Sequence, residues 1–210
     1  MGNLLTRPKS CIGKCDEMKK IVFCEGKDDV AVVRGLAAHL RLNIEVESYG
    51  GKNNFSHVLR SLSTRPDFAQ QKVAAMAILR DADSDSSASF ASVRDSLRQN
   101  HFQPPDADGT FAESTVRVGI FIVGLNGKGM IEDVCLNSVS DQPEFSCVGD
   151  YFDCIAQKSQ RGAFSSKAKV RVWMASHVDY EYHVGKAAEE GYWPWESPAF
   201  ESLRNFLRAL

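Results

Sequence analysis

The sequence has no apolar run approaching the ~20 residues that a bilayer-spanning helix needs. It also has no charged and apolar leader pattern at its start. A membrane span is therefore not expected, and a cytoplasmic protein is. Charge of one sign is not in excess: 25 Lys and Arg stand against 27 Asp and Glu, a net charge of -2. That balance gives no whole-molecule attraction to a polyanion, so any such ligand needs a local basic patch or bound cations. A dense cysteine framework is missing as well. The six cysteines, Cys11, Cys15, Cys24, Cys135, Cys147 and Cys154, are scattered and read as free thiols in a reducing compartment. Cys11 and Cys15 have the spacing to begin a zinc site, but no Cys/His pair nearby completes it, and an unpaired tail is the expectation. The five histidines, His39, His57, His101, His177 and His183, show no ligand spacing and are expected to be structural or exposed. No Gly-x-Ser-x-Gly elbow supports a serine hydrolase. Residues 124–129 hint at a phosphate loop, but their spacing is not that of a Walker A motif. Internal repeats and low-complexity linkers are absent.

What is present is an ordinary globular composition, 43% hydrophobic and 25% charged over 210 residues. Such a chain buries a sizeable core without disulfides or metals. Residues 1–18 lack periodicity and read as a flexible arm. Ile21 to Cys24 is a short β-branched apolar run, read as a buried strand. Val30, Val33, Leu36, Ala37 and Leu40 then recur at helical spacing. The alternation continues. Strands are expected at 44–49, 73–79 and 116–123, and helices after Asn53 or Asn54 and over 87–99. A Pro- and Asp-rich loop is expected over 103–110. Strands alternating with helices predict an α/β, Rossmann-like, mostly parallel sheet of about four strands flanked by helices. Beyond Gly127 the pattern turns helical, with helices expected over 130–139, 151–157, 166–177, 185–190 and 197–210. The expected organisation is an arm (1–18), an α/β domain (19–130) and a C-terminal helical subdomain (131–210).

In parallel sheets ligands bind beyond the carboxyl ends of the strands, and two acidic clusters fall at such ends. Asp81 and Asp83 lie two apart in a segment expected to be extended, which aims both side chains the same way. Carboxylates so close repel one another, and a hard cation such as Mg²⁺ or Mn²⁺ relieves the repulsion. A solvated Asp-rich turn with a helix N-cap is the alternative. Glu25 ends a different strand, and Asp29 follows one helical turn later, so the two can share a face. Acids in a first helical turn also suit the helix dipole, which is the other account of Asp28 and Asp29.

Glu25-Gly26-Lys27-Asp28-Asp29 after one strand, followed by Asp81-Ala82-Asp83 after a later one, resembles the Toprim domain of primases, topoisomerases, ribosomal-RNA maturases and overcoming-lysogenization-defect (OLD) nucleases. The resemblance covers roughly residues 20–130. Gly129-Met130-Ile131-Glu132-Asp133 is similar to the Gly-x-x-Glu segment of OLD-like members, which makes Glu132, and after it Asp133, a further candidate ligand. Lys167 and Lys169 precede an apolar helix, where OLD-like nucleases place a lysine that stabilises charge in the transition state. The resemblance implies a nuclease cleaving DNA or RNA with Mg²⁺ or Mn²⁺ as cofactor, two ions being expected. Glu25, Asp81 and Asp83 would hold one ion, and Asp29 and Glu132 would help hold a second. Glu25 and Lys169 or Lys167 would serve the chemistry. A zinc finger, a topoisomerase tyrosine domain and an ATPase motif are all lacking, so any ATPase is expected on a separate partner. A homo-oligomer is compatible with this reading.

Two other readings stand beside it. One is a non-catalytic or regulatory module working with that ATPase. The other is nucleotidyl transfer or phosphate-ester chemistry on a small molecule. The aromatic group Tyr180, Tyr182, Tyr192, Trp193 and Trp195 is expected to pack in the core or against a partner rather than stack on bases. The basic stretch Lys158, Arg161, Lys167, Lys169 and Arg171 is expected to be a solvated face.

Overall fold

A computed structural model describes residues 18–160, 162–177 and 184–210. The expected arm up to residue 17, with Cys11 and Cys15, lies outside the described residues, as do Arg161, Tyr180, Tyr182 and His183. In chain order the elements are β1 (Lys19–Cys24), α1 (Lys27–His39), β2 (Glu45–Ser48), α2 (Phe55–Leu62), α3 (Pro66–Ala69), β3 (Val73–Asp81), α4 (Ser86–Gln99), β4 (Thr110–Ala112) and β5 (Arg117–Val123). There follow α5 (Ile131–Ser138), α6 (Pro143–Ser159), α7 (Ser166–Ala175), α8 (Val184–Glu189) and α9 (Glu201–Ala209). Short 3-10 turns at Lys52–Asn54 and Pro198–Phe200 lead into α2 and α9.

The sheet has five strands in the order β2-β1-β3-β5-β4. β1, β2, β3 and β5 are parallel, and β4 is antiparallel to β5 at the edge. The α/β class and mostly parallel sheet are thus as the alternation predicts, with β4 as an added strand that begins where the expected loop ends. Alternation along each strand sends successive residues to opposite faces. On one face Ile21, Phe23, Met76, Ile78, Val118 and Ile120 meet Phe55, Leu59 and Leu62 of α2 and Val93 and Leu97 of α4. On the other, Val22, Cys24, Ala75, Ala77 and Leu79 meet α1 and the helices from α5 onward in one continuous core. Residues beyond 130 therefore share their core with α1 and the sheet. Gly35 of α1 lets the C-terminal segment close in, since a Cβ there would stand 2.8 Å from the Trp195 ring.

The parallel register decides where the chemistry sits. Cys24 pairs with Ser48, and Asp81 with Val123. Four strands therefore end along one edge. Glu25, Tyr49, Ala82 and Gly124 emerge there together, and α1 and α5 start nearby. No helix among the described residues is long and apolar enough to cross a membrane.

Candidate metal centre

Glu25 follows the last residue of β1 and is tied down through its main chain. Its carbonyl accepts from Gly51 N–H at 2.9 Å and from Ser48 Oγ at 3.1 Å. Its side-chain Oε2 is buried with no hydrogen-bond partner among the described residues. A buried polar oxygen left unsatisfied costs about 1–3 kcal/mol, so this atom has an unused capacity to accept. Gly26 caps α1 with an ordinary extended backbone, φ -120°. What the site requires of Gly26 is space rather than a special turn, because an added Cβ would lie 2.9 Å from Asp29 Oδ2. That same oxygen accepts the Gly26 N–H at 2.7 Å, so Asp29 caps the helix while facing Glu25. Burial raises the Asp29 carboxyl above its ordinary range; the Gly26 N–H opposes this, and the nearby Glu25 charge adds to it.

Asp81 is the last residue of β3, and its Oδ1 accepts from Ile131 N–H at 3.2 Å, which joins the strand end to the start of α5. Burial, then the charges of Asp29, Glu132 and Glu25, push its carboxyl up to about 8. Glu132 lies in the first turn of α5 and is only 2% exposed. Burial raises it, while its own N–H and Lys167 pull it down. Lys167 Nζ stands 3.5 Å from Glu132 Oε1. The charge of Glu132, followed by those of Asp81 and Asp29, raises the Lys167 ammonium. Glu25, Asp29, Asp81 and Glu132 thus share one field, with Lys167 against it.

Other expected members stand elsewhere. Asp83 does not continue the extended path of Asp81. Its φ is +53°, in the left-handed region, and it exchanges main-chain hydrogen bonds with Gly129 at 2.8 and 2.6 Å. The expected parallel aim of Asp81 and Asp83 is lost at that backbone turn, and the Asp83 carboxylate pairs with Lys52. Lys52 carries no motif signature. Only the Gly50-Gly51 pair before it, at the end of β2, marked the loop in the sequence. Lys169 is exposed, two residues past Lys167 on α7. It lines an apolar cleft with Phe152, Phe164 and Leu136 instead of meeting the acids. Asp133 is a structural cap: its Oδ2 accepts from Met130 N–H at 2.8 Å, and its Oδ1 accepts from Ser166 Oγ, tying α5 to α7. The expected N-cap in the Asp-rich turn is Asp85, which accepts from Ser87 and Ala88 N–H. Asn54 does not cap α2 with its side chain, which donates to Tyr49 O at 2.7 Å.

The glycine run before α5 is a two-residue hairpin turn. Leu125 and Lys128 bond each other across Asn126 and Gly127, whose φ values are +51° and +78°. Both central residues have positive φ, as a type I′ turn demands, which accounts for the run without a phosphate. Trp193 is 1% exposed and stacked on Trp173 at 5.0 Å, and Trp195 is 8% exposed against Phe200. These rings pack the core, as expected. Cys24 and Cys135 are buried free thiols, and Cys147 and Cys154 are exposed ones.

Residues 19–210 match the family model described as protein of unknown function (DUF3226). The chain belongs to this DUF3226 family. The match begins with β1 and spans all five acids and both lysines of α7. No curated protein matches this DUF3226 chain. Its fold is similar to that of the C-terminal region of the Xanthomonas campestris pv. campestris OLD protein, with a TM-score of 0.50 and 13% identity over 91% of this chain and 92% of that one. At that identity the likeness is one of fold.

Whether these residues suit a cation can be judged from the donor set. Among the described residues, no three His, Cys, Asp or Glu side chains already stand together at metal-holding positions. The chemistry nevertheless fits a hard divalent ion. The donors are carboxylates, one oxygen is buried and unpartnered, and the repulsion that adds to burial in raising Asp81 is what a cation removes. Glu25, Asp29, Asp81 and Glu132 would hold it after side-chain adjustment, and Asp83 would join on release from Lys52.

Proposed function

We propose that this chain is a divalent-cation-dependent phosphodiesterase of the Toprim type, acting on DNA or RNA. The observation that carries this reading is the gathering of Glu25, Asp29, Asp81 and Glu132, with Lys167 beside them, at the carboxyl edge of a parallel sheet. The motif resemblance drawn from the sequence points the same way, and the α/β, mostly parallel sheet it implies supports it. When bound, one or two Mg²⁺ or Mn²⁺ ions supply Lewis-acid activation of water and of the leaving oxygen. The residues of the chain do the rest. Glu25 offers an unpartnered oxygen whose position is set by the β1 end. Asp29 and Glu132 bring charge from two helix N-termini, which favour anions. Lys167, exposed over more than half its side chain, offers its ammonium to charge developing on a phosphate oxygen. Lys169 is too far round the helix to share that task.

The test is a cleavage assay on labelled DNA and RNA with Mg²⁺ or Mn²⁺. Wild type should cut at least one substrate, and Glu25→Gln, Asp81→Asn and Lys167→Ala should each lose most activity. Equal cleavage by all four would sink the reading. A second reading rests on the fold likeness to one region of a larger protein: a cation-binding module that works with an ATPase partner and does not cut alone. Cation binding without cleavage, restored to cleavage by the partner, would favour it.

A further inference from the structure

Lys52 is a cation at the edge that neither acidic motif contains. Its ammonium pairs with Asp83 Oδ2, and the two side chains are 36% and 41% exposed. A pair so open to water is weak, so it presents little obstacle to a divalent ion competing for Asp83. The backbone beneath it is fixed to the site. Gly50 and Gly51 adopt φ of +75° and +95°, Gly51 N–H donates to Glu25 O, and Asn54 Nδ2 donates to Tyr49 O. The lysine stem therefore rises from a loop bonded to the main chain of Glu25 itself.

Placement adds a second argument. The loop of Lys52 runs into α2, which packs on one face of the sheet through Phe55, Leu59 and Leu62. Lys167 starts α7, which packs on the opposite face through Val170 and Trp173. The strand-end acids belong to the sheet edge between these two faces, with Lys52 paired to Asp83 and Lys167 to Glu132. A polyanion crossing this edge meets one lysine on each side of the acids, on a molecule whose net charge of -2 offers no general attraction.

We infer that Lys52 is a phosphate-positioning residue. Asp83 releases it on taking a cation, and the freed ammonium receives a phosphate oxygen flanking the scissile one. This inference rests on the phosphodiesterase reading of the same site. It makes cation and substrate binding mutually reinforcing, since each removes a competitor of the other. Removing the lysine should then move the two affinities in opposite directions.

The experiment compares wild type, Lys52→Ala, Lys52→Gln and Lys52→Arg on the full chain. A fluorescent single-stranded DNA and its RNA counterpart are titrated in Ca²⁺, and Mn²⁺ is titrated alone by calorimetry. Lys52→Ala and Lys52→Gln should bind Mn²⁺ more tightly than wild type. They should bind the strand roughly 10-fold more weakly, as expected for one lost charge-assisted contact. Their slope of log affinity against log salt should be shallower by about 0.7, one phosphate contact on a single strand. In cleavage, the loss should fall on KM more than on kcat. Lys52→Arg should recover the strand affinity and the salt slope. A wild type that binds the strand while both neutral variants match its affinity and slope overturns this inference alone. A wild type that neither binds nor cleaves either strand overturns the phosphodiesterase reading, and this inference with it.

Discussion

A carboxyl held protonated near neutral pH changes how a fold responds to acid and to metal. Asp81 is such a group, raised to about 8 by burial and by Asp29, Glu132 and Glu25. Its ordinary value is 3.8, so in the metal-free protein the unfolded chain ionises first as pH rises. The contribution of Asp81 to stability is then greatest below that value, falls as pH climbs from there to about 8, and levels off above. Asp29 and Glu132 are shifted in the same direction. Asp81→Asn removes this loss. In EDTA its melting temperature should match wild type near pH 4 and exceed it increasingly towards pH 8, as followed by circular dichroism. A constant offset across that range would mean that Asp81 does not titrate as described. The residue scale is also where the sequence was read most unevenly. The placement of Glu25, Asp29, Asp81 and Glu132 at the sheet edge was legible because each stands at a strand end or opens a helix. Asp83 was not, because one left-handed backbone angle turns it out of the extended path. Lys52 was not, because nothing in a local pattern says that a lysine will meet an aspartate 31 positions further on. Lys167 and Lys169 could be separated only once the helix fixed which flank each occupies.

Helix starts repeat one device at the edge. Asp29 accepts the N–H of Gly26, and Asp133 accepts the N–H of Met130, each from the third position of its helix. The first carboxylate also faces the acids; the second ties α5 to Ser166 of α7 and so sets where Lys167 begins. Asp133→Ala should cost about 1–2 kcal/mol, or a fall in melting temperature of roughly 2–8 °C. The added stability conferred by Mn²⁺ should remain as in wild type. Loss of that increment would make Asp133 a ligand rather than a cap. Most elements were legible, since period-2 runs and helical apolar stripes survive into the structure, but α3 was not expected and α6 starts at Pro143, eight residues before the expected 151. β4 was the one strand not expected. It has three residues directly after a stretch punctuated by Pro and Asp, and its packing depends on Gly119 of the neighbouring strand. Phe111 lies over Gly119, where a Cβ would meet its ring at 2.4 Å, and stacks on Phe206 of α9 at 4.7 Å. Gly119→Ala should therefore overpack this seat and cost about 1–3 kcal/mol. That is a melting-temperature drop of roughly 2–12 °C, without change in Mn²⁺ affinity. An unchanged melting temperature would place the ring elsewhere.

At the scale of the whole molecule, one sheet edge collects what its two faces carry. The core on one face brings α1, α5 and α7 with their acids and Lys167, and the core on the other brings the loop of Lys52. Composition made the near-neutral charge legible, and with it the need for a local basic patch or bound cations at any polyanion site. The lysines on either side of the acids required the three-layer packing. The direct measurement is Mn²⁺ binding to the purified chain by calorimetry, with Glu25→Gln and Asp81→Asn beside it and circular dichroism to confirm folding. Wild type should bind, and at 100 times its Kd the ion should add about 2.7 kcal/mol of stability. Both variants should stay folded and lose most of that affinity. Folded variants that bind Mn²⁺ as tightly as wild type would contradict a metal centre at this edge.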